Sequence, residues 1–179
     1  MDRVLHFILY ILITLILSFF FDPHLWSEGL ILLTSNGKLP NAILRGSTKT
    51  PKIYEVRVDR VLRKDDARQL ADGVVITTVA QRDGKRAKPL TAKTKCCEVT
   101  KVAPRCFRIV LMEGRNRQIR KMCEALGYVV VDLHRVKVMD VNLDGLNVPG
   151  DWMRLKGKEL ALVRDVLFRS EHLGANDGR

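Results

Sequence analysis

The stretch Met112-Glu113-Gly114-Arg115-Asn116-Arg117-Gln118-Ile119-Arg120-Lys121-Met122-Cys123-Glu124-Ala125-Leu126-Gly127 constrains the fold more than any other. Seven residues, Arg115 to Lys121, carry four arginine or lysine side chains and two amides. Yet Ile119, Met122, Cys123 and Leu126 recur at i, i+3, i+4 and i+7, the apolar stripe of a short helix. Asn116 is placed to cap its start, and Gly127 to end it in a left-handed conformation. At ~100° per residue Arg120 falls beside the stripe, with Arg117 one turn earlier on the same flank. Such a helix needs a sheet to bury its stripe. An arginine at the rim of a core also needs an anionic partner.

The flanking sequence supplies the sheet. Ser27 to Leu33 is an apolar run followed by Asn36-Gly37, which reads as a buried strand and hairpin turn. Lys38 to Leu44 suits a short helix, and Arg45 to Pro51 a polar loop. Lys52 to Leu62 alternates, with Tyr54, Val56 and Val58 on one face and Glu55, Arg57 and Asp59 on the other, as in a half-exposed antiparallel strand. A two-turn helix is expected over Asp65 to Ala71 and a strand over Val74 to Val79, then a charged turn at Gln81 to Lys88. Cys96 to Thr100 and Cys106 to Met112 read as strands around Pro104, and Tyr128 to Met139 as a further strand. After a turn at Asp144-Gly145, Leu160, Val163 and Leu167 share a face of a helix over Lys158 to Phe168. The tail from Ser170 is expected to fray. The sum is an α/β (α+β) domain: a mostly antiparallel mixed sheet with a few flanking helices.

The 179 residues suffice for one domain with a real core, and 31 Lys and Arg against 20 Asp and Glu leave a net charge of +11. That excess favours a polyanionic partner: nucleic acid first, an anionic membrane surface second. Cys96, Cys97, Cys106 and Cys123 form no CxxC pair and have no histidine at zinc spacing, so no metal is expected and no oxidising compartment is required.

Residues 1–26 differ from the rest. Val4 to Phe21 is an apolar run of 18 residues broken by His6, Thr14 and Ser18. A bilayer span takes roughly 20. No small-residue cleavage site follows the run. It reads as a membrane anchor, a targeting peptide, or a misassigned start that is no part of the mature protein. The division expected is 1–26 as this segment, 27–168 as the functional domain, and 169–179 as a flexible tail.

Four separated pieces resemble the RsuA-type pseudouridine synthases, enzymes that isomerise chosen uridines, mostly in ribosomal RNA. These are the Ser27-to-Gly37 run SEGLILLTSNG, Lys52-Ile53-Tyr54-Glu55-Val56, the EGRNRQIRKM stretch from Glu113 to Met122, and Gly150-Asp151-Trp152-Met153-Arg154-Leu155. They span residues 27 to about 163 in the family's order. The resemblance implies a pseudouridine-synthase-like domain that needs no cofactor and no metal, with RNA as partner (ribosomal RNA favoured, transfer RNA possible) and a monomer as the default. It implies that Arg120 holds a catalytic carboxylate ionised and oriented, and that Tyr54 stacks on the target base. Lys52, Arg115, Asn116, Arg117, Gln118, Lys121 and Arg135 then form the RNA-binding set. The compartment implied is cytoplasmic or organellar with ribosomal RNA, and membrane-associated only if the apolar segment is genuine.

The chain departs from the family at one place. The family's nucleophile is the aspartate of a G-R-L-D-x-x-[ST]-x-G run, and Ser27-x-Gly29 supplies the end of that run. Counting back three from Ser27 gives His24, with Asp22 and Pro23 where arginine and leucine are expected. Asp22 is a carboxylate two residues out of place, a displacement of several Å along the chain. The small N-terminal RNA-binding domain usual in this branch has no counterpart here. Three functions therefore stand: an RNA pseudouridine synthase, an RNA-binding module of the same fold without the nucleophile, and a membrane-anchored basic protein.

Overall fold

The computed structural model describes residues 8–10, by their backbone, and residues 27–44, 50–79 and 88–173. In chain order the elements are β1 (Ile8–Tyr10), β2 (Glu28–Leu32), α1 (Lys38–Leu44), β3 (Lys52–Val58), α2 (Lys64–Asp72), β4 (Val75–Val79) and β5 (Pro89–Lys93). Next come β6 (Glu98–Ala103), β7 (Cys106–Leu111), α3 (Gln118–Ala125), β8 (Val130–Val138), β9 (Trp152–Met153) and α4 (Gly157–Leu173). Seven strands form one mixed sheet in the order β6-β7-β3-β8-β2-β1-β9, and β4 and β5 form a separate ribbon. Pairing is antiparallel except between β2 and β8. The architecture is the α+β arrangement of a mostly antiparallel sheet with flanking helices.

The alternation in β3 does what it implies. Val56 and Val58 are buried while Glu55 and Arg57 face water. They join Phe107, Ile109 and Leu111 of β7 and Ile119, Met122 and Cys123 of α3 in one core cluster, with Tyr54 and Leu126 packed against it. A second cluster lies where α1 and α4 cover the other end of the sheet, around Leu30, Leu39, Ala42, Val138, Val163 and Val166. A buried network pins α2 to the segment after α3. Tyr128 donates to Asp66 at 2.5 Å, and Arg63 grips the same carboxylate at 2.7 and 3.2 Å.

Several expectations are corrected. Asn36-Gly37 makes no hairpin. The Asn36 side chain accepts from Lys38 N–H at 3.0 Å and its carbonyl from Leu39 N–H, so the turn starts α1. Asn116 does not cap α3. The capping position falls to Arg117, in the left-handed region at φ 53°, while Gly127 takes its expected left-handed place at φ 79°. Strand β5 was not foreseen, and Cys96 and Cys97 precede β6 rather than lie in it. Helix α4 runs to Leu173, through the stretch where fraying was expected. Of the apolar run, only Ile8–Tyr10 is described. It is a strand between β2 and β9, not part of a helix. No helix among the described residues is long and apolar enough to cross a membrane. Residues 22 and 24, the turn at 81–87 and the loop at 45–49 lie outside the described residues.

Two positions on the central strands are under physical constraint. Gly29, in β2, has φ 109°. A Cβ there would fall 2.6 Å from the Arg135 backbone nitrogen and closer still to the Arg135 carbonyl oxygen. The parallel contact of β2 with β8 therefore requires glycine. Lys52, first residue of β3, is 3% exposed, and its ammonium donates to the Thr50 carbonyl at 3.0 Å and the Ile43 carbonyl at 3.2 Å. Burial, and secondarily the charge of Arg135, push its pKa down to about 8.

Gly29→Ala should cost at least ~2 kcal/mol, from strain and overpacking together, read as a lowered urea midpoint. An unchanged midpoint would contradict the close β2–β8 approach. For Lys52 the sign follows from a folded-state pKa below the unfolded value of 10.5. Below about 8 the lysine is charged in both states and its burial penalty is fully present. As pH rises toward 10.5 the folded state sheds the proton first and gains stability, by at most ~1.4 kcal/mol per pH unit. The denaturation free energy of wild type minus that of Lys52→Met should therefore rise across this window. A flat difference would count against a depressed Lys52.

Candidate active site

The loop before α3, strand β2 and the central strands β3 and β8 enclose a cleft of about 380 Å³. Strand β2 and its lead-in contribute Ser27, Glu28, Gly29 and Ile31. The centre of the sheet contributes Tyr54, Leu111, Leu133 and Arg135. The motif contributes Glu113, Gly114, Arg115, Arg117, Gln118, Ile119 and Arg120. Of the side chains singled out in the sequence, Tyr54, Arg115, Arg117, Gln118, Arg120 and Arg135 thus meet in one place. Lys52, Asn116 and Lys121 do not line it.

The motif residues divide by their partners. Glu113 accepts from the Lys95 N–H at 3.0 Å and the Gln118 amide at 2.7 Å, and pairs with Arg115 at 3.3 Å. Arg115 also donates to the Ala92 carbonyl at 3.1 Å and the Lys93 carbonyl at 2.9 Å, and its own N–H to the Gln118 side chain at 3.0 Å. Asn116 donates to the Val79 carbonyl at 3.4 Å, and Lys121 donates to the Thr77 carbonyl. Arg115, Asn116 and Lys121 therefore latch the motif onto the β4–β5 ribbon, and Gln118 is buried beneath it. Each of these side chains already has an intramolecular acceptor. The same holds for Lys52, which is buried with two carbonyl acceptors.

Arg117, Arg120 and Arg135 are oriented differently. Arg120 is half-buried beside the apolar stripe, as its helical position requires, and donates to the Val130 carbonyl at 3.0 Å and to Ser27 Oγ at 3.4 Å. Its guanidinium thus stands at the start of β2. Arg135 is held by one bond, Nε to the Leu30 carbonyl at 2.7 Å, and lies across from Tyr54 in the β3–β8 pairing. Arg117 is exposed, and its neighbours in sequence are both tied down. Neither Arg117 nor Arg135 forms an ion pair with a described carboxylate.

Tyr54 is half-buried, with one part against the core cluster and another on the cleft. An aromatic wall among guanidinium groups suits a planar base attached to an anionic backbone. Two carboxylates line the described cleft, Glu28 and Glu113. Glu113 is engaged, whereas Glu28 pairs with no described cation. Glu28, Ser27 and Gly29 were read in the sequence only as ends of a motif; their side of the cleft follows from the parallel β2–β8 pairing, which no local pattern encodes. Among the described residues no cluster of His, Cys, Asp or Glu could hold a metal ion.

Comparisons with known proteins bear on the family and the fold. A family profile described as RNA pseudouridylate synthase matches residues 26–125. The dual-specificity RNA pseudouridine synthase RluF of Escherichia coli strain K12 is 42% identical over 134 residues, which are 75% of this chain and 41% of that protein. The ribosomal small subunit pseudouridine synthase A of Yersinia pestis is 31% identical over 137 residues, 76% of this chain and 54% of that protein. A crystal structure of a pseudouridylate synthase superposes with a TM-score of 0.64 at 27% identity, over 76% of this chain and 55% of that one. The chain thus spans about half or less of the length of these relatives. With the profile covering more than half of its residues, the chain belongs to the RNA pseudouridylate synthase family.

Proposed function

We propose that the chain carries the catalytic cleft of an RNA pseudouridine synthase, acting as a monomer on a uridine of ribosomal RNA in the cytoplasm or an organelle. The observation that carries this reading is the meeting of Tyr54, Arg120, Arg117 and Arg135 around one cleft. In the reaction the bond from the ribose C1′ to uracil N1 breaks, the base turns, and C1′ bonds to C5. N1 gains a proton and C5 loses one, so no electron donor or acceptor enters. A carboxylate serves as nucleophile or as acid and base. Tyr54 holds the extruded base by stacking. Arg120 keeps the carboxylate ionised, since an adjacent guanidinium favours the charged form.

The contact of Arg120 with Ser27 supports this assignment, because the family's carboxylate position lies three residues before Ser27. That position is His24, with Asp22 nearby. A second reading, an RNA-binding module without turnover, is favoured by the same substitution and by the engagement of Glu113. The relatives named for ribosomal RNA support the substrate class.

Pseudouridine mapping by carbodiimide modification and primer extension on ribosomal RNA fragments separates the two. The chain should bind the fragments with salt-dependent affinity and turn over slowly. His24→Asp should raise isomerisation by ~100-fold or more, the scale expected of a positioned acid or base. Adding Arg120→Ala to that version should abolish isomerisation while weakening RNA binding by less than ~10-fold. No pseudouridine from either the chain or His24→Asp would leave the binding-module reading. Full turnover in the double variant would remove Arg120 from the mechanism.

A further inference from the structure

Beside the cleft lies a second cavity, of about 190 Å³, between α1 and the sheet. Its walls are apolar, from Leu32, Leu39, Ile43, Leu44 and Val138. Lys52 and Arg135 are its only charged lining groups among the described residues. Arg135 lines both cavities and so forms the partition between them. Leu44 also reaches the partition: a Cβ on Gly114, a cleft residue, would lie 3.2 Å from Leu44 Cδ2.

The electrostatics of this partition favour an anion. Lys52 is buried, and its ammonium meets two carbonyl oxygens but no described carboxylate within ion-pair distance. The neighbouring Arg135 forms no ion pair with a described carboxylate, and its charge acts against that of Lys52, which the more distant Glu113 carboxylate offsets in part. A buried lysine beside a half-buried arginine is a pair of like charges, and a negative group arriving at the arginine relieves their repulsion. One Arg135 nitrogen is spent on the Leu30 carbonyl, which fixes the plane of the guanidinium and leaves the other two nitrogens to donate. An apolar chamber with a cationic partition matches the two halves of a nucleotide, base and phosphate.

Resting on the reading of the cleft as a uridine site, we propose that the second cavity seats the nucleobase adjacent to the isomerised uridine, with Arg135 holding the phosphodiester that joins the two nucleotides. Lys52 contributes charge from beneath and does not itself touch the strand. The substrate is thereby read as two neighbouring nucleotides, one for chemistry and one for position. Leu44, 48% exposed, forms the outer wall of the positioning site.

Fluorescence anisotropy with the full chain tests this. The probe is a short labelled single-stranded RNA with one uridine among adenosines, together with copies carrying an abasic ribose on the 5′ or the 3′ side of that uridine. Loss of the seated base should weaken binding roughly 5-fold or more, as expected when apolar wall and base face return to water, and on one side only. Leu44→Glu, which puts a carboxylate at the mouth of the cavity, should bind the parent RNA more weakly and show no further loss with the abasic copy. Equal affinity for all three RNAs, or an abasic loss undiminished in Leu44→Glu, would overturn the second site and leave the cleft assignment standing. Failure of the parent RNA to bind at all would overturn both.

Discussion

The Glu113 carboxylate accepts from Gln118 and the Lys95 N–H and pairs with Arg115, and the cleft depends on these three contacts. They sit where the chain leaves β7 and has yet to enter α3. There it has no ladder or helix to satisfy its backbone, so side chains do that work. Glu113 fixes Arg115 and Gln118, and Arg115 in turn engages two carbonyls of β5. Both partners of the ion pair are largely buried, at 12% and 21% side-chain exposure. Losing the carboxylate would leave the buried Gln118 amide without its best acceptor, at ~1–3 kcal/mol, and Arg115 with only its two carbonyls on β5. The wall that carries Arg117 and Arg120 would lose its anchorage as well.

The cations of the motif consequently divide into two kinds that composition cannot separate. Arg115 and Lys121 are spent on backbone carbonyls of the β4–β5 ribbon. Arg117 and Arg120 border the cleft together with Arg135 of β8, and Arg115 reaches its lining as well. A net charge of +11 predicts attraction to a polyanion, yet part of it serves as internal fastening. Fewer cationic side chains are left to turn toward a polyanion than the sequence displays.

How far the sequence could be read follows from range. The alternation over Lys52 to Val58 and the stripe through Ile119, Met122 and Cys123 are periodic patterns whose burial is dictated by geometry within one element, and they hold. Arg120 at the rim of the core follows from the same periodicity. Strand β5 escaped because Pro89 to Lys93 is short, largely exposed and opens on a proline, and it exists through pairing with β4. The Asn36-Gly37 turn has the chemistry of a hairpin, but a helix start uses the same asparagine acceptor. The partners of Arg115, Asn116 and Lys121 are carbonyls 22 to 44 residues distant in sequence, and a carbonyl carries no signature in the residue type. Family resemblance singled out Tyr54, Arg120 and Arg135, which share the cleft, but gave no hint that Lys52 would be buried.

The backbone at Arg117 leads to one last point. A non-glycine residue in the left-handed region gives up ~1–2 kcal/mol relative to an ordinary conformation. Asn116 and Gln118, bonded on either side, prevent the chain from relaxing it. Glycine at this position would relieve the strain but would have no guanidinium to present. Residue 117 is therefore a site where stability and chemistry pull in opposite directions, so a search guided by thermal tolerance alone would select against the side chain that the cleft displays.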